Sequence, residues 1–228
     1  MIIEQHPFND TFGLSSITGK TTKLILGTFP AHQVTSKDTP RLDFYYGSTD
    51  NRFWDLFNEV LSNSSVLSVE NIINFLTENN FGIIDIIRRC YRRDNNSSSD
   101  DDLSIIEFQD IVDLLFKSNI DTIYTTSNFV TKLIKQQIEP LLNKISLTEK
   151  GKKLKKHEIF VPVKLANFEF IEVDLPSSTF NSDRRLKIKT LYSPSDQGLR
   201  GISKGINSKE LNTDPLTHRL EQYRQFLA

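Results

Sequence analysis

Asp50 and Asn51 stand side by side in the decamer YYGSTDNRFW (residues 45–54), which also holds the only tryptophan of the chain, Trp54. A carboxylate can act as a general base. An asparagine amide can hold a water through its oxygen while its nitrogen donates to a base edge. Either residue also suits the cap of a helix that starts at Phe53, so one can cap while the other faces a ligand. Tyr46 precedes a glycine in a polar loop, where an aromatic ring can be a stacking plate for a planar ligand; stacking of a base contributes about 1–3 kcal/mol. Tyr45 and Tyr46 together are expected to place at least one ring in a pocket, whereas Phe53 and Trp54 read as core.

Two further stretches carry chemistry-bearing residues. In Gly27-Thr28-Phe29-Pro30 the glycine lets the backbone turn sharply or approach a ligand closely, and the proline stiffens the exit. In YSPSDQGLRG (192–201), Ser193-Pro194-Ser195 is a rigid turn of small residues whose hydroxyls and amides suit a phosphate. Leu199 follows Gly198 with no apolar neighbours; it either folds back on the core or serves as a wedge between DNA bases. Arg200 beside it can pair with a phosphate. His32, near the first stretch, reads as a surface histidine or a base contact. Asp85, inside an apolar run, either orients a catalytic group or satisfies a local backbone donor.

The stretches 27–30 and 192–201 directly follow expected strands, and the decamer comes after the first of them. Lys23–Leu26, Ile120–Thr125 and Leu186–Leu191 are apolar or alternating runs that read as strands, as do 161–163 and Phe168–Val173. Helical spacing marks Phe53–Leu61, Ser68–Glu78 with Ser68 as cap, Ile105–Lys117, Phe129–Ile138 with Pro140 ending it, and Leu216–Leu227. Residues 1–20 read as an extended lead-in, and 31–50, the polar stretch RRDNNSSSDDD and 192–216 as loops. Strands alternating with helices predict a single α/β domain over 1–228, three layers deep, with a short, mostly parallel central sheet. In such sheets ligands bind at the carboxyl ends of strands, here 27–30, 125–128 and 192–201, and the decamer follows the first of these.

Composition narrows the classes. The chain has 228 residues and a formal net charge of -1, so the global balance favours neither a nucleic-acid binder nor an acidic protein. Charge is nevertheless uneven: Lys150–Lys156 carries five lysines, and Arg184, Arg185, Lys187 and Lys189 follow. The lysine run is either an approach surface for a polyanion or a solvated loop. A single cysteine, Cys90, excludes an intramolecular disulfide and a multi-cysteine metal site, and fits a reducing compartment. No apolar run approaches the roughly 20 residues of a membrane span, and the start MIIEQHPFND lacks the pattern of a signal peptide. The expectation is a cytoplasmic monomer. Asp100, Asp101 and Asp102 read as a solvated turn, since adjacent side chains diverge too far to share a metal.

These residues together resemble the uracil-DNA glycosylase superfamily. Gly27-Thr28-Phe29-Pro30 is similar to that family's G-x-x-P motif after the first strand. Tyr46 followed by Asn51-Arg52-Phe53-Trp54 is similar to the aromatic-then-N-R-F-W segment of the mismatch-specific uracil glycosylases and to the corresponding segment of the hypoxanthine-DNA glycosylases. Gly82–Ile87 also resembles a segment of the hypoxanthine branch. Ser193-Pro194-Ser195 with Leu199 is similar to the second motif, a Pro-Ser turn with an intercalating apolar residue. The likeness spans about residues 22–227. In many branches the middle of the first motif carries Asp or Asn; here Thr28 and Phe29 stand there, and Ser193 stands where other branches have His or Asn.

The resemblance implies a DNA glycosylase that needs no metal or other cofactor and leaves an abasic site without cutting the strand. Asn51, with Asp50, would position the attacking water. Gly27, Thr28, Phe29, Pro30, Tyr46 and Ser193 would contact the base. Ser195, Leu199 and Arg200 would contact DNA. The substrate would be uracil, hypoxanthine or another altered base flipped from the stack. Two alternatives stay open: a DNA reader of the same fold that is non-catalytic or specific for one modified base, and an enzyme acting on a free nucleotide.

Overall fold

Leu24, Ile25 and Leu26 are fully buried in succession, the mark of a strand covered on both faces. In the computed structural model, which describes residues 3–60, 68–94, 99–150, 152–165, 168–176, 183–195 and 214–227, they lie in the six-stranded sheet that positions the site. Nine strands are formed among the described residues: β1 (Ile3–Gln5), β2 (Lys23–Gly27), β3 (Phe81–Asp85), β4 (Ile87–Arg92), β5 (Leu103–Phe108), β6 (Thr122–Thr125), β7 (Val161–Leu165), β8 (Phe168–Leu175) and β9 (Arg184–Thr190). The large sheet has the order β3-β2-β6-β9-β8-β7. Its first four strands are parallel, and β8 and β7 add antiparallel at one edge. A smaller antiparallel sheet has the order β1-β4-β5.

Five longer helices cover the large sheet: α1 (Phe53–Val60), α2 (Val69–Glu78), α3 (Ile111–Lys117), α4 (Asn128–Lys150) and α5 (Pro215–Leu227). Alternate side chains of the strands go to opposite layers. Leu24, Leu26 and Ile123 pack with Leu114 of α3 and Val130 and Ile134 of α4. Ile25, Ile83 and Tyr124 pack with Phe53 and Phe57 of α1, Leu76 of α2 and Leu220 and Tyr223 of α5. This is the expected three-layer α/β arrangement. No helix among the described residues is long and apolar enough to cross a membrane.

Local chemistry accounts for several boundaries. Ser68 caps α2 by accepting from the Asn71 amide at 3.1 Å, as expected from its type. The expected helix Ile105–Lys117 is instead a strand followed by a helix. Exposure alternates along β5, whose Leu103 and Ile105 pack inward, so period two wins until Asp110 caps α3 by accepting from Asp113 N at 2.8 Å. Pro140 does not end its helix: α4 runs on to Lys150. Pro140 and Gln136 are both exposed, so the carbonyl that loses its partner can be solvated. Residues 1–20 are not a mere lead-in. They contribute β1, a π-helical turn at Asn9–Gly13 and one helical turn at Leu14–Ser16.

Candidate functional site

The carboxyl ends of β2, β3, β6 and β9 open on one pocket of about 360 Å³. Its lining includes Thr28, Phe29, Pro30, Tyr46, Asp50, Asn51, Ser193 and Ser195, so the three stretches singled out by residue type converge there. A larger hollow of about 920 Å³ is lined by Asp121, Arg184 and Arg185. Asp121 precedes β6 and Arg184 opens β9, which puts it at the opposite end of the sheet. Its arginines serve the fold: Arg185 pairs with Glu172 and Asp174, and Arg184 donates to the Ser118 and Leu115 carbonyls.

Gly27 ends β2 in register with Asp85 at the end of β3. A Cβ at this position would overlap the Asp85 carboxylate and the Tyr46 hydroxyl. The missing side chain lets both groups converge on the backbone, a close approach that only glycine allows. The next residues are tied down, with Ile86 N donating to Gly27 O at 2.9 Å and Ile87 N to Thr28 O at 3.1 Å. Arg92, buried, donates to the Pro30 carbonyl at 2.7 Å and pairs with Glu4 at 3.1 Å. Glu4 also accepts from Thr35 and bonds His32 Nδ1 at 3.1 Å. His32 is thus engaged by Glu4, and it lies outside the pocket lining.

Asp85 is fixed by residues near the N-terminus. His6 Nδ1 accepts from the Phe8 and Asn9 amides at 3.1 and 3.0 Å, so its proton sits on Nε2. That nitrogen donates to Asp85 Oδ2 at 2.9 Å. The Asn9 side chain pairs with the Asp85 backbone in both directions, at 2.8 and 3.0 Å. The other carboxylate oxygen, Oδ1, is buried with no hydrogen-bond partner among the described residues, and Asp85 lines the pocket. A buried acceptor in that state is costly unless something fills it.

The two tyrosines have different fates. Tyr45 is fully buried and donates to Asn9 Oδ1 at 2.9 Å, while its carbonyl accepts from the Trp54 indole at 2.7 Å. Tyr46 reaches the pocket, with φ of 56° in the left-handed region. It is not a freely exposed plate. One side stacks on Phe53 at a centroid separation of 4.4 Å, and its hydroxyl faces Thr126 without meeting hydrogen-bond geometry. Burial first, and the Asp85 carboxylate second, hold that hydroxyl well above the ordinary tyrosine range.

Asn51 serves as the cap, its Oδ1 accepting from Phe53 N at 3.0 Å. One oxygen lone pair is therefore occupied and a second remains. Asp50 is exposed on the pocket lining. The decamer is stitched to the third loop by an antiparallel bridge between Asn51 and Ser195 and by Arg52 N donating to Pro194 O at 3.2 Å. Ser193 and Ser195 share a hydroxyl hydrogen bond of 2.9 Å. From α5, the buried Arg219 donates to the Ser193 and Ser195 carbonyls at 3.2 and 3.1 Å. Leu199 and Arg200 lie outside the described residues.

Asp100 was expected in a solvated turn, yet it lines the pocket. It sits in a short 3₁₀ turn at the tip of the β4–β5 hairpin, where Ser99 accepts from Asp101 N at 3.3 Å. Thr28 Oγ1 donates to its Oδ2 at 3.2 Å. Burial pushes the carboxyl up to about 6; the charges of Asp85 and Asp101 act the same way, against the Thr28 bond and Arg92. The lysine run is remote from this chemistry. Helix α4 starts beside pocket residue Ser127 and ends at Lys150 after 23 residues, a length of roughly 35 Å at 1.5 Å per residue.

The fold and site define an α/β protein with a polar, acid-lined pocket at the carboxyl edge of its parallel strands. No family model matches the chain, and no curated protein does. Among solved structures it is similar to an NMR structure from Methanosarcina acetivorans described as "a putative Uracil DNA glycosylase", with 22% identity over 64% of this chain and 80% of that one and a TM-score of 0.44. Function has to be argued from the pocket's own residues.

Proposed function

We propose that the protein is a monofunctional DNA glycosylase that hydrolyses the N-glycosidic bond of a deaminated or modified base, of the uracil or hypoxanthine kind, flipped out of DNA. The observation that carries this reading is the convergence of Thr28–Pro30, of Tyr46, Asp50 and Asn51, and of Ser193–Ser195 on one pocket at the strand ends. A base inside a duplex is out of reach of such a pocket, so the nucleotide leaves the stack to enter it. Tyr46, backed by Phe53, is the stacking wall. Backbone groups at Thr28 and Phe29 meet the base edge. Asn51 uses its remaining oxygen lone pair and its amide to place the water against the sugar C1′, with Asp50 at its side. Ser193 and Ser195 hold the substrate strand, and Leu199 and Arg200, which follow them in sequence, are proposed as further DNA contacts. No lysine nucleophile is involved, so the product is an abasic site in an uncut strand. The protein acts on DNA as a monomer.

The test is an excision assay. End-labelled duplexes carrying one uracil, one hypoxanthine or a G·T mismatch are incubated with the protein and treated with hot alkali, which cuts abasic sites. A cleavage band is expected with at least one duplex, and Asn51→Ala abolishes it. Because Asn51 also caps α1, that variant loses about 1 kcal/mol of stability. Asn51→Asp keeps a cap and separates the two roles: it restores stability but not excision. No cleavage with any of the three duplexes, combined with no binding to them, would sink the reading.

A further inference from the structure

The strand-end loops bring two carboxylates to the pocket, the exposed Asp50 and the buried Asp85, which His6 holds. A third arrives from outside the large sheet. Asp100 stands at the tip of the β4–β5 hairpin and reaches over to Thr28, whose hydroxyl donates to Oδ2 at 3.2 Å. Among the described residues no hydrogen bond engages its other oxygen. We propose, on the basis of the glycosylase reading, that Asp100 is a catalytic carboxylate: it takes the proton of the attacking water, and Thr28 is the positioning residue that aims it.

Three observations support the assignment. First, the pocket is built to be filled, since the nine-tenths-buried Asp85 presents Oδ1 in the same lining without a partner among the described residues. Second, Thr28 is pinned through its carbonyl to Ile87 N at 3.1 Å, and the Asp100 turn is capped by Ser99, so both partners of the Thr28–Asp100 bond have fixed backbones. Third, a general base works best when its affinity for protons is close to the operating pH, and burial has moved Asp100 up to about 6.

The step balances. The water oxygen bonds to C1′ as the C1′–N bond breaks, and its electron pair leaves on the base. The water proton passes to Asp100 and then to solvent, and solvent protonates the departed base. Positive charge that develops on the sugar lies among the Asp50, Asp85 and Asp100 carboxylates, which stabilise it.

The charged groups around Asp100 are Asp85 from β3, Arg92 of β4, Asp101 on its own turn, Arg93, which donates to the Asp101 carbonyl, and Asp50 on the same pocket lining. An active base must be ionised, so the rate rises with pH through about 6.

Single-turnover excision is measured across about pH 5 to 8 for the wild type, Asp100→Asn and Thr28→Val, with binding to a duplex carrying a tetrahydrofuran abasic analogue as the folding control. Asp100→Asn is expected to slow excision about 10²- to 10⁴-fold, to flatten the acid limb and to keep analogue binding. Thr28→Val removes the bond that holds Asp100 down and aims it, so its acid limb moves to higher pH and its plateau falls, though by less than that of Asp100→Asn. An active wild type that Asp100→Asn matches in rate and pH profile overturns the proposal and leaves the glycosylase reading standing. A wild type that neither excises any base nor binds the analogue overturns both.

Discussion

Gly27 shows how one missing carbon shapes a site. Its Cα lies beneath the Asp85 carboxylate and the Tyr46 hydroxyl, and neither can retreat freely. Asp85 is bound through His6 and Asn9. Tyr46 is pressed on Phe53, and its left-handed backbone is itself a strained conformation for a bulky residue. Gly27→Ala is therefore expected to cost about 1–3 kcal/mol, the range for overfilling a packed region, and to weaken ligand binding more than a distant mutation of equal cost. Thermal unfolding and binding to abasic-analogue DNA, measured together, check this; unchanged values in both would show that the pocket yields. The same neighbourhood contains the residues that reading by type missed. His6 and Asn9 lie far from Asp85 in sequence, and nothing in the stretch HPFN marks it as the support of a carboxylate 79 residues away.

At the scale of elements, the departures from expectation share a cause. Val112–Lys117 and Ile105–Phe108 are both apolar-rich, and a period of 3.6 can be drawn through them together. The division at Gln109 and Asp110 follows from β5 pairing with β4, which no local pattern announces. That strand is also what carries Asp100 to the pocket, so reading 105–117 as one helix hid a site residue. Helix α4 makes the converse point. Pro140 is a sound local stop signal, yet the buried face formed by Ile134, Ile138 and Leu142 holds the helix together across it. Pro140→Ala should restore the missing N–H without loss of packing, because Pro140 is exposed. The expected result is a stabilisation of about 1–3 kcal/mol in denaturant unfolding with an unchanged slope. A destabilised variant would mean that the proline's restriction of the unfolded chain outweighs the helix defect.

For the molecule as a whole, the pocket depends on pieces from both ends of the chain. The N-terminal residues His6 and Asn9 set Asp85. The C-terminal helix α5 holds the third loop through Arg219 and through Gln222, whose side chain accepts from Tyr192 N at 2.6 Å and donates to the Thr190 carbonyl at 3.2 Å. Tyr223 adds a bond to the Tyr192 carbonyl at 3.2 Å. Arg219→Ala removes two charge-assisted bonds to the Ser193–Ser195 turn, each of the kind worth about 1.5–3 kcal/mol. The loop is expected to become sensitive to limited proteolysis and ligand binding to fall, with the large sheet intact by circular dichroism. Retained binding and protection would show that the remaining bonds to the decamer and to Gln222 and Tyr223 suffice to hold the turn.

The sequence by itself determined the α/β class, the parallel strands, which it read at 23–26, 120–125 and 186–191, and the three stretches that meet at the pocket. Each of these depends on local information: apolar runs long enough for a buried strand, small-residue turns at their ends, and side chains whose chemistry is legible one residue at a time. The tertiary structure alone decided that Tyr45 belongs to the core while Tyr46 reaches the pocket, that Asn51 pairs with Ser195, that His6 orients Asp85, and that Asp100 leaves solvent to meet Thr28. It also decided that the lysine run lies at the far end of α4 rather than beside the pocket. Those outcomes depend on contacts between residues tens of positions apart. Their free energy comes from burial and pairing once the sheet has brought them together, and no spacing along the chain encodes it.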